Sequence, residues 1–244
     1  MRLKGVSKRF YRYEHRTTSL REFFIRTVLR RPLAIKRACF SLEGLSLTVD
    51  RGESVAFIGR NGSGKSTALR LIAGIYAPSA GEVMVTGRIA SVIELGAGFN
   101  PELTGRENVE LYGAVMGLHR REIAQHFQAI VAFSGLGAFV DEPVKYYSSG
   151  MQARLAFAVT VAVDPDILLL DEVLAVGDAS FRERCLARLE RFRGRGGTLV
   201  VVSHDLQQVR RLCDRAVWLE GGRVRREGPA GEVTRAYEAA GQEV

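Results

Sequence analysis

Two rhythms of apolar residues alternate along this chain. Short runs are apolar at nearly every position: Ser54-Val-Ala-Phe-Ile58, Asp166 to Leu170 and Thr198 to Val202. Such runs suit strands buried on both faces. Between them, apolar residues recur at helical intervals. They predict helices over Ser66 to Ala73, Arg106 to Met116, Arg120 to Ser134, Gly150 to Val163, Ala179 to Arg193, Asp205 to Leu212 and Glu232 to Ala240. Leu42 to Val49 alternates apolar and polar, as a half-buried strand does, and Asp50-Arg-Gly-Glu53 turns it. Leu3 to Tyr13, Glu82 to Val85 and Arg88 to Ile93 read as further strands, and Ala216–Leu219 with Arg223–Glu227 fits a hairpin turned at Gly221-Gly222. Strands alternating with helices predict an α/β fold with a mainly parallel sheet covered on both faces. The helical block breaks that alternation. It predicts a helical subdomain at about residues 98–164 inserted into one domain spanning 1–244, which also carries an antiparallel β part.

One segment near the start has a different character. Ser19 and Glu22 fit a capping box, and Pro32 stops the predicted helix at about Arg31. Leu20, Phe23, Phe24 and Val28 share one face, with Arg26 and Arg30 opposite. Such a helix suits a membrane interface or a groove on a membrane partner, and equally suits packing on the body of the domain. It marks a basic amphipathic insertion at about residues 14–38.

Charge sharpens this. The chain has 244 residues, 46% hydrophobic, and a net charge of +8. Residues 1–40 hold 12 Lys/Arg against Glu14 and Glu22, which leaves 23 basic and 25 acidic residues elsewhere. The basic character therefore belongs to the N-terminal arm, which could face phospholipid head groups or nucleic acid. No window has the apolar length to span a membrane, and the N-terminus has no apolar core of a secretory signal. Cys39, Cys185 and Cys213 are few and widely spaced, as suits a reducing cytosol, and form no metal motif.

The chemistry concentrates in Gly59-Arg-Asn-Gly-Ser-Gly-Lys-Ser-Thr67, which fits G-x-x-x-x-G-K-[ST] between a strand and a helix. There Gly59, Asn61, Gly62, Ser63, Gly64, Lys65, Ser66 and Thr67 would surround a nucleotide's phosphates at a helix N-terminus. Lys65 would reach the β- and γ-phosphates and Ser66 would hold Mg²⁺. The pattern predicts a P-loop NTPase core with ATP and Mg²⁺. Ile167-Leu-Leu-Leu-Asp171-Glu172 ends a buried strand in two carboxylates. Asp171 is placed to hold the metal, and Glu172 to polarise the attacking water as general base.

Tyr147-Ser-Ser-Gly-Met151, lying between these elements, resembles the Leu-Ser-Gly-Gly-Gln signature of ABC transporter ATP-binding subunits; Ser148 and Gly150 match it, while Tyr147, Ser149 and Met151 depart from it. These departures, together with Asp171-Glu-Val-Leu-Ala-Val-Gly-Asp178 and Glu94-Leu-Gly-Ala-Gly-Phe-Asn-Pro-Glu-Leu-Thr-Gly-Arg-Glu-Asn108, are similar to the polysaccharide-exporting branch: O-antigen, capsule or teichoic acid. The resemblance covers nearly the whole chain. It implies that His204, in Val202-Ser-His-Asp205, contacts the γ-phosphate, and that Asp178 communicates across a dimer. It puts Glu94 where most members have a glutamine linking Mg²⁺ and water to the membrane subunit, and puts Phe10 as the aromatic on adenine, with Tyr11 and Tyr13 as competitors. Ser148, Ser149 and Gly150 would come from a second copy, so a head-to-tail homodimer would sandwich two ATP molecules. A separate integral membrane permease, in two copies, would provide the path for a lipid-linked polysaccharide, with this chain peripheral on the cytoplasmic face of the bacterial inner membrane. The chain ends one helix past its last predicted hairpin, before any sugar-binding β-sandwich of longer exporters, as expected either of a short form that exports without end recognition or of a piece cut from a longer chain. The rivals are a non-transport ABC ATPase acting on nucleic acid or ribosomes, and an inactive regulatory nucleotide binder. The single copy of each motif and the absence of coiled-coil insertions argue against the first, so no nucleic acid is expected. Intact Lys65, Asp171, Glu172 and His204 argue against the second.

Overall fold

The computed structural model describes residues 1–14, 35–92, 98–171 and 178–241, with backbone alone over 12–14 and 35–40. In chain order the strands are β1 (Arg2–Glu14), β2 (Ile35–Thr48), β3 (Ser54–Ile58), β4 (Ala80–Met84), β5 (Ile89–Val92), β6 (Ile167–Asp171), β7 (Thr198–Val202), β8 (Arg215–Glu220) and β9 (Arg223–Pro229). The helices are α1 (Lys65–Ile72), α2 (Gly105–Val115), α3 (Arg120–Ser134), α4 (Ser149–Ala162), α5 (Ala179–Gly194), α6 (Leu206–Leu212) and α7 (Ala230–Gly241). Two short 3₁₀ turns, Gly137–Asp141 and Val144–Tyr146, fill a stretch for which the apolar pattern predicts no element.

The strands form two sheets. An antiparallel sheet has the order β2-β1-β4, and a six-stranded sheet has the order β5-β6-β7-β3-β8-β9, parallel except for the edge strand β9. β1 and β2 pair from Arg2↔Thr48 out to Glu14↔Ile35, so residues 15–34 join the two ends of one long ladder. The predicted Ser19–Arg31 helix lies outside the described residues. β2 already begins at Ile35, inside the stretch expected as insertion. The predicted alternation over Leu42–Val49 is interrupted at Gly44, where φ is +68° and the backbone N–H donates to Ser7 Oγ at 2.9 Å.

Side chains of the six-stranded sheet alternate between two cores, as the pleat requires. Ala56, Ile58, Leu168, Leu170, Leu199 and Val201 join Phe157 of α4 and Phe181 and Leu189 of α5. Val55, Phe57, Ile167, Leu169, Val200 and Val202 join Ala68, Leu69 and Ile72 of α1, with Leu3, Val6, Leu42 and Leu45 of the antiparallel sheet. Helices α1 and α4 thus cover opposite faces of one sheet. Strands β3 and β7 are buried at every position, which is why their sequences run apolar without alternation. Each fully buried Leu, Ile or Phe there contributes about 1.5–3 kcal/mol.

The helices α2 to α4 carry a third core of their own, including Val109, Tyr112, Ile123, Ile130, Leu155 and Val159. Three phenylalanines fasten it to the sheet layer. Phe133 stacks on Phe157 at 6.0 Å, and Phe181 meets both edgewise, at 5.6 Å and 6.2 Å. The loop that enters the subdomain is tied by the fully buried Asn108. Its Oδ1 accepts from Asn100 N–H at 2.7 Å, and its Nδ2 donates to the carbonyls of Asn100, Leu103 and Thr104. Thr104 and Glu107 then close a capping box on α2.

Tyr147 occupies the first signature position and is 6% exposed. Its hydroxyl donates to Phe139 O at 2.5 Å, and a Cβ added at Gly105 would stand 2.2 Å from that hydroxyl oxygen. A bulky ring at this position and a glycine at the start of α2 are therefore one feature. Gly105→Ala is expected to lower stability by about 1–3 kcal/mol in urea unfolding. Tyr147→Phe in the same background is expected to recover part of that loss, because it deletes the atom the new methyl would meet.

Candidate functional site

Helix α1 starts differently from its neighbours. Thr104, Ser148, Asp178 and Asp205 cap α2, α4, α5 and α6 with side-chain oxygens. The N-cap of α1 is Gly64, with no side-chain cap and no acidic residue in the first turn. Its N-terminal N–H groups and its dipole are left to an anion. Three glycines of the preceding loop hold φ values of 143° (Gly59), 79° (Gly62) and 105° (Gly64), which other residues rarely adopt. Two of them also lack room for a side chain. A Cβ at Gly59 would lie 2.2 Å from Leu219 O, and one at Gly64 would lie 2.3 Å from Ser41 O.

The loop is built around buried polar groups. Lys65 is 5% exposed, and its ammonium donates to Gly59 O at 2.8 Å and Arg60 O at 3.0 Å. Ser63 Oγ is buried without a hydrogen-bond partner among the described residues, an arrangement that costs about 1–3 kcal/mol unless a ligand oxygen completes it. Thr67 Oγ1 is 2.7 Å from Ser41 Oγ, which ties α1 to β2. A cleft of about 1070 Å³ opens beside Arg60, Asn61, Gly62 and Ser63, with Trp218 and Tyr237 among its walls.

Strand register brings the other groups to the same edge. Asp171 at the end of β6 pairs with Val202 of β7, and Val202 pairs with Phe57 of β3. The three strands end level, so Asp171, the loop after Ile58 and His204, just beyond Val202, share the carboxyl edge of adjacent strands. Ligands of open α/β sheets bind at such an edge. Two strand spacings, about 10 Å, span the distance from β6 to β3. His204 is exposed there, and Asp205 N-caps α6 by accepting from the N–H groups of Gln207 and Gln208. Glu172 and Glu94 lie outside the described residues. Among the described residues no three His, Cys, Asp or Glu side chains gather into a metal cluster. A hydroxyl and a carboxylate, Ser66 and Asp171, remain. That oxygen set suits an ion that keeps waters and phosphate oxygens in its shell, as Mg²⁺ does.

The signature residues are elsewhere. Ser148 caps α4 by accepting from Met151 N–H at 3.2 Å, Ser149 is exposed, and a Cβ at Gly150 would meet nothing closer than 3.8 Å. These residues begin the helix on the face of the sheet opposite α1. Asp178 accepts from Phe181 N–H at 2.8 Å and pairs with Arg154 of α4 at 2.5 Å. The Phe181 N–H, and after it Arg154, hold the Asp178 carboxyl below the usual carboxylate range. Arg154 is absent from the sequence-derived site, although its place one turn past Gly150 on the same helix face was a usable signal. Phe10 meets Tyr76 edgewise at 5.4 Å with the Lys8 ammonium 5.3 Å from its ring centre. It is 37% exposed, and Tyr11 is 55% exposed. The Cys185 and Cys213 thiols are buried, and burial pushes them up to about 12.

Comparison with known proteins agrees with this geometry. The ABC transporter family model matches residues 42–175. The O-antigen export system ATP-binding protein RfbB of Klebsiella pneumoniae is 45% identical over 97% of this chain and 96% of its own length. RfbB of Myxococcus xanthus is 52% identical over 82% of this chain, and the match spans only 46% of that longer protein. The teichoic acids export ATP-binding protein TagH of Bacillus cereus is 38% identical over 98% of this chain and 42% of its own length. Among solved structures, the dimeric post-hydrolysis state of the ATP-binding cassette MJ0796 bound to ADP and Pi superposes with a TM-score of 0.74 at 25% identity, covering 94% of this chain and 98% of that one. With its uncapped phosphate loop, level strand ends and separate signature helix, the chain belongs to the ABC transporter family as one of its ATP-hydrolysing cassettes.

Proposed function

We propose that this chain drives export of a lipid-linked polysaccharide of the O-antigen, capsule or teichoic acid type. It works as a homodimer with a separate membrane permease on the cytoplasmic face of the bacterial inner membrane. The carrying observation is that α1 and α4 cover opposite faces of one sheet, so a phosphate loop and a signature meet only across two copies. The names of the relatives support the cargo class, and the dimeric MJ0796 cassette supports the assembly. Among the described residues no helix is long and apolar enough to cross a membrane. In this reading the basic segment within residues 14–38 meets lipid head groups or the cargo's phosphates, through Arg26, Arg30 and Arg31.

The chemistry asks little covalent work of the protein. The loop N–H groups and the start of α1 hold the β- and γ-phosphates. Lys65 exchanges its contacts with Gly59 O and Arg60 O for phosphate oxygens, and Ser63 Oγ gains the partner it lacks. Ser66, Asp171 and Glu94 would hold Mg²⁺, which when bound neutralises charge on the phosphates. Glu172 takes a proton from the attacking water, and His204 fixes the γ-phosphate from the neighbouring strand. Ser148, Ser149 and Gly150 of the second copy present a helix N-terminus to the same phosphate. Asp178, tied to Arg154, relates that helix to the dimer contact. Phe10 would stack on the adenine ring, with Tyr11 and Tyr13 as competitors.

Two measurements test this reading. Glu172→Gln is expected to lower ATP turnover by about 10²–10⁴-fold while leaving ATP binding intact in a filter or fluorescence assay. Turnover at the wild-type level would remove Glu172 from the mechanism. Gly64→Ala puts a methyl against Ser41 O and is expected to abolish measurable ATP binding at millimolar nucleotide. Unchanged affinity would show that the loop tolerates the side chain and that the cradle is not the binding element.

A further inference from the structure

At the edge of the sheet away from the phosphate loop, α3, α4 and α5 form an open cavity of about 400 Å³. Asp164 and Arg195, which line it, follow α4 and α5 just before β6 and β7 begin, so the cavity lies at the amino ends of those strands. Its floor is apolar, made by Ile130, Phe133, Ala158, Val161 and Ala187. Interiors normally close to crystal-like density. Here small alanines on facing helices leave the space open.

The rim is mostly basic, with four arginines and His126 against one carboxylate among the described residues. Arg184, Arg188, Arg191 and Arg195 follow one another at intervals of four, three and four along α5 and its C-cap, which puts all four on one face. Among the described residues Asp164 is the only carboxylate lining the cavity, and it pairs with Arg195 at 3.1 Å. Arg184 donates to Phe133 O at 3.2 Å and Arg188 to Val161 O at 2.8 Å. These bonds close the ends of α3 and α4 and give two of the arginines a structural role. They leave the rest unexplained. Among the described residues the Arg191 guanidinium forms no hydrogen bond or ion pair, and Arg188 makes no ion pair, although the Asp164 carboxylate acts on it from a distance. Burial first, and after it the neighbouring Arg195, lower Arg188 from the ordinary arginine value, with Asp164 opposing them.

The geometry points to a binding site for a small amphiphilic anion, a phosphate or carboxylate on a short aliphatic body. The anionic group lies between Arg188 and Arg191, whose planar forks match it. The aliphatic part covers Ile130, Ala158 and Val161. The volume is that of a small-ligand pocket. Because α3 and α4 belong to the helical subdomain and α5 to the sheet layer, an occupant fastens one to the other. The same chemistry is offered by a free amphiphile and by the acidic head and first carbons of a membrane lipid.

The test uses the full chain and hexyl phosphate in titration calorimetry, with inorganic phosphate and hexanol as single-feature controls. One hexyl phosphate is expected per chain, bound about tenfold or more tightly than either control. Arg191→Glu, at an exposed rim position, and Ala187→Phe, which fills the floor, are each expected to weaken it by about tenfold or more. Lys65→Ala is expected to leave it unchanged, separating this site from the phosphate loop. A second arm adds phosphatidylcholine vesicles with and without phosphatidic acid. Binding that needs phosphatidic acid and is lost in Arg191→Glu identifies a lipid source, and binding of the soluble probe alone identifies a free amphiphile. No saturable hexyl phosphate binding at millimolar concentration, equal binding by Arg191→Glu, or loss of binding in Lys65→Ala would overturn the proposal.

Discussion

The fold depends on keeping the start of α1 open. A helix N-terminus ordinarily takes a side-chain cap, as α2, α4, α5 and α6 do here. Leaving α1 uncapped goes with glycines that shape the approach, a lysine buried among carbonyls, and a Ser63 hydroxyl without a partner among the described residues. Each of these opposes folding. They persist because β3, buried at every position, is clamped between β7 and β8 and delivers the chain into the turn. The same clamping sets the strand ends level and so decides where Asp171 and His204 stand. Rigid strands and an unsatisfied helix end are two sides of one design for holding phosphate.

The two faces of the sheet divide the labour. One face supports the phosphate loop through α1 and the antiparallel sheet. The other supports α4 and α5, whose first residues are Ser149 and Ala179, and binds the helical subdomain through Phe133, Phe157 and Phe181. The Arg154–Asp178 pair joins the starts of these two helices, so the signature helix is tied to Asp178 within a chain. A second copy is then what completes the chemistry.

Much of this was legible in the sequence because it is periodic or local. Buried parallel strands announce themselves as apolar runs, and the glycine loop is contiguous. Register, and with it the level strand ends, follows from those runs once they pair. What escaped is long-range. Ser41 against Thr67, Tyr147 against Gly105, and the Asn108 network depend on residues brought together by folding, and no local pattern encodes them. The 3₁₀ turns at 137–146 are short, and their buried residues, Val140 and Val144, are too few to make a rhythm. The sequence could not choose among Phe10, Tyr11 and Tyr13. The structure gives Phe10 an edge contact with Tyr76 and leaves Tyr11 exposed, while the Tyr13 side chain lies outside the described residues.

The central claim is that each ATP is held by the phosphate loop of one copy and the signature of another. The most direct measurement mixes two chains, Lys65→Ala and Ser148→Arg, after each has been shown to be without turnover alone. The account predicts that the mixture recovers ATP hydrolysis, because one of the two sites in a mixed dimer then has an intact loop and an intact signature. No recovery in a mixture proven to contain mixed dimers would contradict it.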